Sequence, residues 1–389
     1  MTSDKKDHIS IDSLKKELLQ AQVLYDQGQF QEALNISDRI YQESQLLNNC
    51  FLTFDALIIK ATIPIKLGNL EKIPDLITQA EKLLKTISDS SLNETKQKKA
   101  DFLKLKGDYH FSRGEFSESV EFQKQVLVLR EKLGDKKNLA KTLSLIGDAF
   151  GLMGEIDESL LYYRRSLNLC EELNLKSTKA KILIAFNAIC YLNGNFERAL
   201  DFIKRGLRLS EEINHKPLIA LGLNNLGGLY RVMGNLKGAM KAWEECLKIT
   251  EEIEFNYMKV PVLDFIIQSA IEIGDVVKAK SYLKILEDLD KKEKTKHTHI
   301  MFLYNKALVL KQSLRAHDRA ESEDILKGLI KDQSIGLEIM INVLLNLCDL
   351  LLKELQLTGY IEILDEIQHY IDLLLEITEK RQSYLFMAE

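Results

Sequence analysis

The sequence predicts an all-α protein: a right-handed superhelical solenoid of about nine antiparallel helix pairs. The first observation is a repeat. Glycines recur every forty residues, at Gly28 and Gly68 and then at Gly114, Gly154, Gly194, Gly234 and Gly274. The second observation is that the 389 residues include only four prolines. So few prolines favour long helices over a turn-rich sandwich or barrel.

Each repeat is predicted to be a pair of helices joined by a short turn at the glycine. The clearest example runs from Lys216 to Glu252, with its turn at Gly234. In four of the seven repeats the glycine is followed by a residue that can cap a helix start: Asn69, Asn195, Asn235 and Asp275. The second helix is therefore expected to begin there. It is expected to end near residues that tolerate a left-handed backbone, namely Gly134, Asn174 and Asn214.

Apolar residues recur in fixed columns along the repeats. The first helices share Leu103, Leu143, Leu183, Leu223 and Leu263, and the second helices share Leu127, Leu167, Leu207 and Leu247. The columns step by three and four residues, which indicates one buried face on each helix. Another column holds Gly107, Gly147 and Gly227. Because a helical glycine costs about 1 kcal/mol against alanine, its recurrence predicts that the second helix crosses closely there.

Charge and cysteine content argue against several classes of protein. A net charge of −5 disfavours a nucleic-acid binder, which usually carries a basic stripe. The five cysteines are scattered, as is typical of reduced thiols in an intracellular protein, and the N-terminus lacks the apolar run of a secretory signal. The stretch from Ile335 to Leu352 carries a polar stripe and is interpreted as a buried amphipathic helix rather than a membrane span. We therefore expect a cytoplasmic protein that binds neither nucleic acid nor membrane.

The repeat pattern resembles the tetratricopeptide repeat. Seven residues of one repeat match its signature positions: Leu223, Leu226, Gly227, Tyr230, Gly234, Ala239 and Trp243. The forty-residue period is similar to that of the longer-helix subclass. This subclass includes kinesin light chains, the spindle adaptor that binds G-protein α subunits, and bacterial Rap-type and MalT-type regulators. The resemblance implies that the first helices line a concave groove that holds an extended or helical peptide.

We predict five segments along the chain. Residues 1–10 form an N-terminal tail, 11–290 seven repeat-like helix pairs, 291–299 a basic linker, 300–380 two degenerate helix pairs, and 381–389 the start of a further, truncated helix. The last segment contains apolar residues with no partner helix after them. It leads to two alternative expectations, a truncated chain or self-association through the C-terminal helices.

No motif for catalysis or cofactor binding is found. The sequence lacks a phosphate-binding loop, a dinucleotide-binding glycine motif, an H-E-x-x-H zinc motif and a G-x-S-x-G nucleophile motif. His297 and His299 form an isolated pair without further ligands at a fixed spacing, so no metal site is predicted. We expect a non-enzymatic protein without a cofactor.

The candidate binding surface is the face of the first helices that the apolar columns leave free. It comprises the positions thirteen, ten, six and three residues before each turn glycine. The candidate residues on it are Lys104, Asp108, Phe111, Lys141, Ser144, Asp148, Lys181, Tyr191, Asn224 and Arg231. Such side chains suit the amides and charges of an extended peptide. We predict a protein–protein interaction scaffold or adaptor; the alternative is a Rap-like, peptide-sensing regulatory module of a larger signalling protein.

Overall fold

The computed structural model describes residues 10–87, 93–192, 194–332 and 335–379, which form eighteen α-helices and no strand. The helices are α1 (Ile11–Gln27), α2 (Phe30–Leu46), α3 (Cys50–Lys66), α4 (Ile73–Ile87), α5 (Asn93–Ser112), α6 (Phe116–Leu133), α7 (Lys136–Leu152), α8 (Ile156–Glu172), α9 (Lys176–Leu192), α10 (Phe196–Glu212), α11 (Lys216–Val232), α12 (Leu236–Glu252), α13 (Asn256–Glu272), α14 (Val276–Glu293), α15 (Lys296–Lys311), α16 (Ala316–Ile330), α17 (Leu337–Thr358) and α18 (Ile363–Glu379). The predictions for residues 1–9 and 381–389 lie outside the described residues.

The helices pack as consecutive pairs, which confirms the predicted all-α repeat fold. The second helix of a pair lies against the first, as in α5 with α6 and α7 with α8, and first helices of neighbouring pairs also touch, as in α7 with α9. The chain divides into two compact units, one ending at Lys259 and the other starting at Val260. We call them the first unit and the second unit.

The backbone conformation of the turns requires glycine at these positions. All seven repeat glycines have a positive φ, from +67° at Gly194 to +85° at Gly28, a region in which a Cβ atom is strained. The predicted caps of α10, α12 and α14 are confirmed: the side chains of Asn195, Asn235 and Asp275 accept from backbone N–H groups at 2.9–3.2 Å. The left-handed residues predicted after the second helices are confirmed as well, with φ values of +50° to +67° at Gly134, Asn174 and Asn214.

The predicted helix start after Asn69 is wrong, because α4 begins only at Ile73. A helix starting at Leu70 would place Pro74 in its interior. There the proline lacks an N–H to donate, and its ring clashes with the carbonyl of the preceding turn. Starting at Ile73 puts Pro74 in the first turn, where no N–H is needed.

The predicted core columns and the predicted close crossing are both confirmed. Leu143, Leu207 and Leu247 are buried. A Cβ atom added at Gly147 would lie 2.7 Å from the ring of Tyr163 on α8, and one at Gly107 would lie 2.8 Å from Nε2 of Gln123 on α6. The glycine column therefore makes room for large side chains of the second helices.

The two ends of the first unit touch each other. The turn between α1 and α2 meets the start of α11, since a Cβ atom at Gly28 would lie 2.7 Å from Cγ of Pro217. The rings of Phe30 on α2 and Phe255 after α12 pack edge to face with centroids 5.5 Å apart. Both rings are buried in one apolar cluster with Ile253. The stack of pairs thus curves back on itself, and its first helices surround a central space.

The second unit has its own apolar core, which includes Tyr304, Leu326 and Leu347. Residues 291–299 differ from the predicted linker, because α14 extends to Glu293 and α15 begins at Lys296. A threonine caps the start of α15: the side chain of Thr295 accepts from the backbone N–H of Thr298 at 3.1 Å. The apolar stretch predicted as an amphipathic helix lies in α17 and buries one face in this core.

Candidate functional site

The candidate residues from the sequence come from α5, α7, α9 and α11 and differ in accessibility. Asp108 and Ser144 are buried, the latter with 1% of its surface exposed, and Tyr191 is 42% exposed. The others are half-buried: Lys104, Phe111, Lys141, Asp148, Lys181, Asn224 and Arg231. Ser144 is therefore covered by its neighbours, whereas most of the set lies partly open on the same face of successive first helices.

Charged side chains from distant helices share the central space of the first unit. Burial lowers the pKa of Lys66 at the end of α3, and the next largest influences are Asp108 of α5 and Lys181 of α9. Burial also lowers the pKa of Lys141 on α7, with Asp26 of α1 acting against it. We call this space the lumen and define it by its charged lining: Lys66, Lys104, Asp108, Lys141, Asp148 and Lys181.

Asp148 is held from two sides. The hydroxyl of Tyr163 on α8 donates to Oδ1 at 2.7 Å, and the ammonium of Lys181 on α9 donates to Oδ2 at 2.5 Å. Burial and the adjacent carboxylate of Asp148 raise the pKa of Tyr163, so the phenol keeps its proton and stays a donor. The carboxylate consequently has a fixed position on the lumen wall.

Asp108 is held in a similar way, one repeat earlier. Its Oδ2 accepts from Nζ of Lys104 at 2.5 Å and its Oδ1 accepts from Nε2 of Gln123 at 3.3 Å. Lys104 precedes Asp108 by one helical turn on α5, whereas Gln123 belongs to α6. Two successive repeats therefore present an acid positioned by a lysine and by a second-helix side chain.

Sequence reasoning missed the second-helix side chains that support this face. Gln123, Tyr163 and Trp243 pass beside Gly107, Gly147 and Gly227, and the indole N–H of Trp243 donates to the backbone carbonyl of Asn224 at 3.2 Å. The signal was present, because each large residue follows its glycine at the same offset. Of the three, the sequence analysis used only Trp243, as a signature residue of the repeat, and did not consider Gln123 or Tyr163.

Several polar atoms near the lumen have no hydrogen-bond partner among the described residues. They are Oγ of Ser144, Oδ1 of Asn187 and Oδ1 of Asn224, from three successive first helices, and Oε1 of Gln123. All four atoms are buried and closed to solvent. A buried oxygen without a donor costs about 1–3 kcal/mol, so the packing behind this face is not optimal for stability.

Neither metal chemistry nor a membrane span emerges from the described residues. No group of three His, Cys, Asp or Glu side chains there could hold a metal ion, and no described helix is both long and apolar enough to cross a bilayer. One histidine of the isolated pair contacts a carboxylate: Nδ1 of His299 lies 2.9 Å from the carboxylate of Asp290.

Comparison with known sequences identifies the repeat. Two family profiles described as tetratricopeptide repeat match residues 100–172 and 220–254. These two segments are similar to tetratricopeptide repeats, as the sequence pattern predicted. Among curated proteins no sequence relative matches.

Three solved structures share the fold over nearly the whole chain. A Rap protein complexed with Competence and Sporulation Factor has a TM-score of 0.61 at 16% identity, covering 95% of this chain and 98% of that chain. NprR in complex with its cognate peptide NprX has a TM-score of 0.55 at 15% identity, covering 96% and 100%. Aspartyl phosphate phosphatase F from Bacillus subtilis has a TM-score of 0.55 at 16% identity, covering 99% and 97%. The fold therefore resembles that of Rap-type arrays.

Proposed function

We propose that this protein is a non-enzymatic scaffold or adaptor that holds a peptide or partner helix in the lumen. The proposal places it in the cytoplasm, with a protein or peptide partner rather than nucleic acid or membrane. The ten candidate residues of the first helices are its proposed contacts, and Gln123, Tyr163 and Trp243 support them from behind.

The positioned acids of two successive repeats carry this proposal. Asp148 is fixed by Tyr163 and Lys181, and Asp108 by Lys104 and Gln123. Asp148, Asn224 and Arg231 are only half-buried, so each side chain is partly open. Carboxylate, amide and guanidinium groups in a row suit the N–H groups and charges of an extended peptide.

The similar solved structures add support for a peptide as the ligand. Two of the three are complexes, one with Competence and Sporulation Factor and one with a cognate peptide. Since the likeness in sequence is only 15–16%, it concerns the fold. The positioned carboxylates of Asp108 and Asp148 extend the argument to this chain's own residues.

The alternative function is a peptide-sensing regulator, and one observation favours it. The ends of the first unit meet through Phe30 and Phe255, so a ligand in the lumen would change the packing of these two rings. For a sensor, ligand binding must change the balance between two conformations. Dyes attached near these two residues would then change their separation on binding, whereas an adaptor would keep it constant.

The test selects heptapeptides from a random displayed library on the immobilised full chain. Affinities of the selected peptides are then measured for the wild type and for the triple variant Asp148→Ala, Asn224→Ala and Arg231→Ala. Three lost polar contacts at about 1 kcal/mol each predict weakening on the order of a hundredfold. Circular dichroism checks that helicity is unchanged.

The matched control is the double variant Glu171→Ala and Glu211→Ala, which removes exposed carboxylates at the ends of second helices. It should bind the selected peptides as the wild type does. If the triple variant retains full affinity while the control loses it, the lumen is not the binding site. If the library yields no enriched peptide, the proposed function itself fails.

A further inference from the structure

Four lysines face the lumen, and only two of them have partners. Lys104 and Lys181 pair with Asp108 and Asp148, each at 2.5 Å. Among the described residues, the ammonium groups of Lys66 and Lys141 form no hydrogen bond or ion pair, and only more distant charges act on them. The lumen therefore contains two cations whose charge the protein leaves unmatched at close range.

These two ammonium groups are also partly cut off from bulk water. The side chain of Lys66 is accessible to solvent, yet burial is the largest influence on its pKa and lowers it. The side chain is both accessible and partly desolvated because it projects into a space that water can enter and that protein surrounds. The contact of Phe30 with Phe255 closes the unit around this space. Lys141 is half-buried, and burial lowers its pKa too.

Charges of both signs surround the two lysines. Asp108 and Asp148 attract Lys66 without a direct ion pair, whereas Lys181 and Lys104 repel it. Asp26 attracts Lys141, also without a direct ion pair, and Lys137, Lys104 and Arg130 repel it. A desolvated charge without a close partner is costly, and an incoming anion would remove part of that cost.

We propose that the lumen selects an acidic peptide, with carboxylates that pair with Lys66 and Lys141. This inference rests on the proposed function and names the chemistry of its ligand. Lys66 ends α3 and Lys141 lies on α7, with α5 between them in the stack. The two lysines belong to different repeats, so a peptide with two acidic side chains can offer one carboxylate to each.

The experiment uses the displayed heptapeptide library on the full chain, in parallel with the variants Lys66→Met, Lys141→Met and the double variant. Methionine keeps most of the side-chain length and removes the charge. The wild type should enrich Asp and Glu in the selected peptides, and the double variant should lose this enrichment. For a selected peptide, each single variant should weaken binding by about tenfold, the effect of one charge-assisted hydrogen bond.

Two controls separate this proposal from simpler explanations. Lys248→Met removes an exposed lysine of α12 and should leave peptide affinity unchanged. Replacing Asp and Glu of a selected peptide by Asn and Gln should weaken its binding to the wild type but not to the double variant. Melting temperatures of the lysine variants should not fall, because neither ammonium has a close partner to lose.

Three outcomes would overturn the inference. Enriched peptides without an excess of Asp or Glu would refute it while leaving the proposed function intact. Unchanged affinity in both lysine variants would show that these ammonium groups are not contacts. Inorganic phosphate that competes with the selected peptides at equal or lower concentration, with the same dependence on both lysines, would assign the site to a small anion instead.

Discussion

The replacement Gly147→Ala tests how the second helices support the candidate binding face. An added Cβ atom would lie 2.7 Å from Cδ1 and Cε1 of Tyr163, closer than real Cβ contacts. These atoms belong to a buried ring rather than to the end of a flexible chain. The ring must therefore move, and its hydroxyl would leave Asp148, to which it donates at 2.7 Å.

The expected effect is a loss of stability, despite the better helix former. Alanine in place of a helical glycine gains about 1 kcal/mol. Against this stand about 1–3 kcal/mol for overpacking and about 1.5–3 kcal/mol for a hydrogen bond to a charged group. The net prediction is a destabilisation of about 1.5–5 kcal/mol.

The chain offers a matched control in Gly228→Ala. A Cβ atom at Gly228 on α11 meets no other atom within 4 Å. This variant should gain the full helix term of about 1 kcal/mol. Urea denaturation followed by circular dichroism measures both variants against the wild type. The reasoning is refuted if Gly147→Ala is as stable as the wild type, or if Gly228→Ala is the less stable of the two.

Three further predictions concern the core, a titrating pair and the C-terminal surface. Leu207→Ala or Leu247→Ala should cost about 2–5 kcal/mol, and hydrogen exchange should rise in neighbouring repeats too; unchanged denaturation midpoints would contradict this. The carboxylate of Asp349 accepts from Lys311 at 2.7 Å. Burial raises the pKa of this carboxyl, but the hydrogen bonds from Lys311 and Lys353 outweigh burial, so the pKa lies below its usual value. The ion pair stabilises the fold above the pKa of Asp349 in the unfolded chain, and this stabilisation is lost as pH falls through the lowered pKa of the folded state. Asp349→Asn should therefore reduce the loss of stability on acidification, and an unchanged pH profile of stability would count against the pair. Ile361, 71% exposed between α17 and α18, belongs to a region predicted to self-associate, so Ile361→Lys should shift sedimentation toward monomer, and a wild type that sediments only as a monomer would refute that prediction.

The sequence alone determined the repeat and the local structure within it. The period of forty residues gave the turn positions, because a left-handed backbone at each turn requires glycine. Asn and Asp gave the helix starts, except at Asn69, where Pro74 has the stronger effect on the backbone. The apolar columns gave the core, since burial of one helix face follows from its period of 3.6 residues. These signals are local, and they recur in each repeat.

The tertiary structure decided what the repeats do to one another over long distances. The contact of Phe30 with Phe255, and the presence of Lys66 and Lys181 around one lumen, depend on how far the stack turns across several repeats. Small rotations between neighbouring pairs add up along such a stack. No residue pattern within one repeat contains that sum. The sequence therefore predicted a candidate face, but not that this face closes around a lumen with two unpaired lysines.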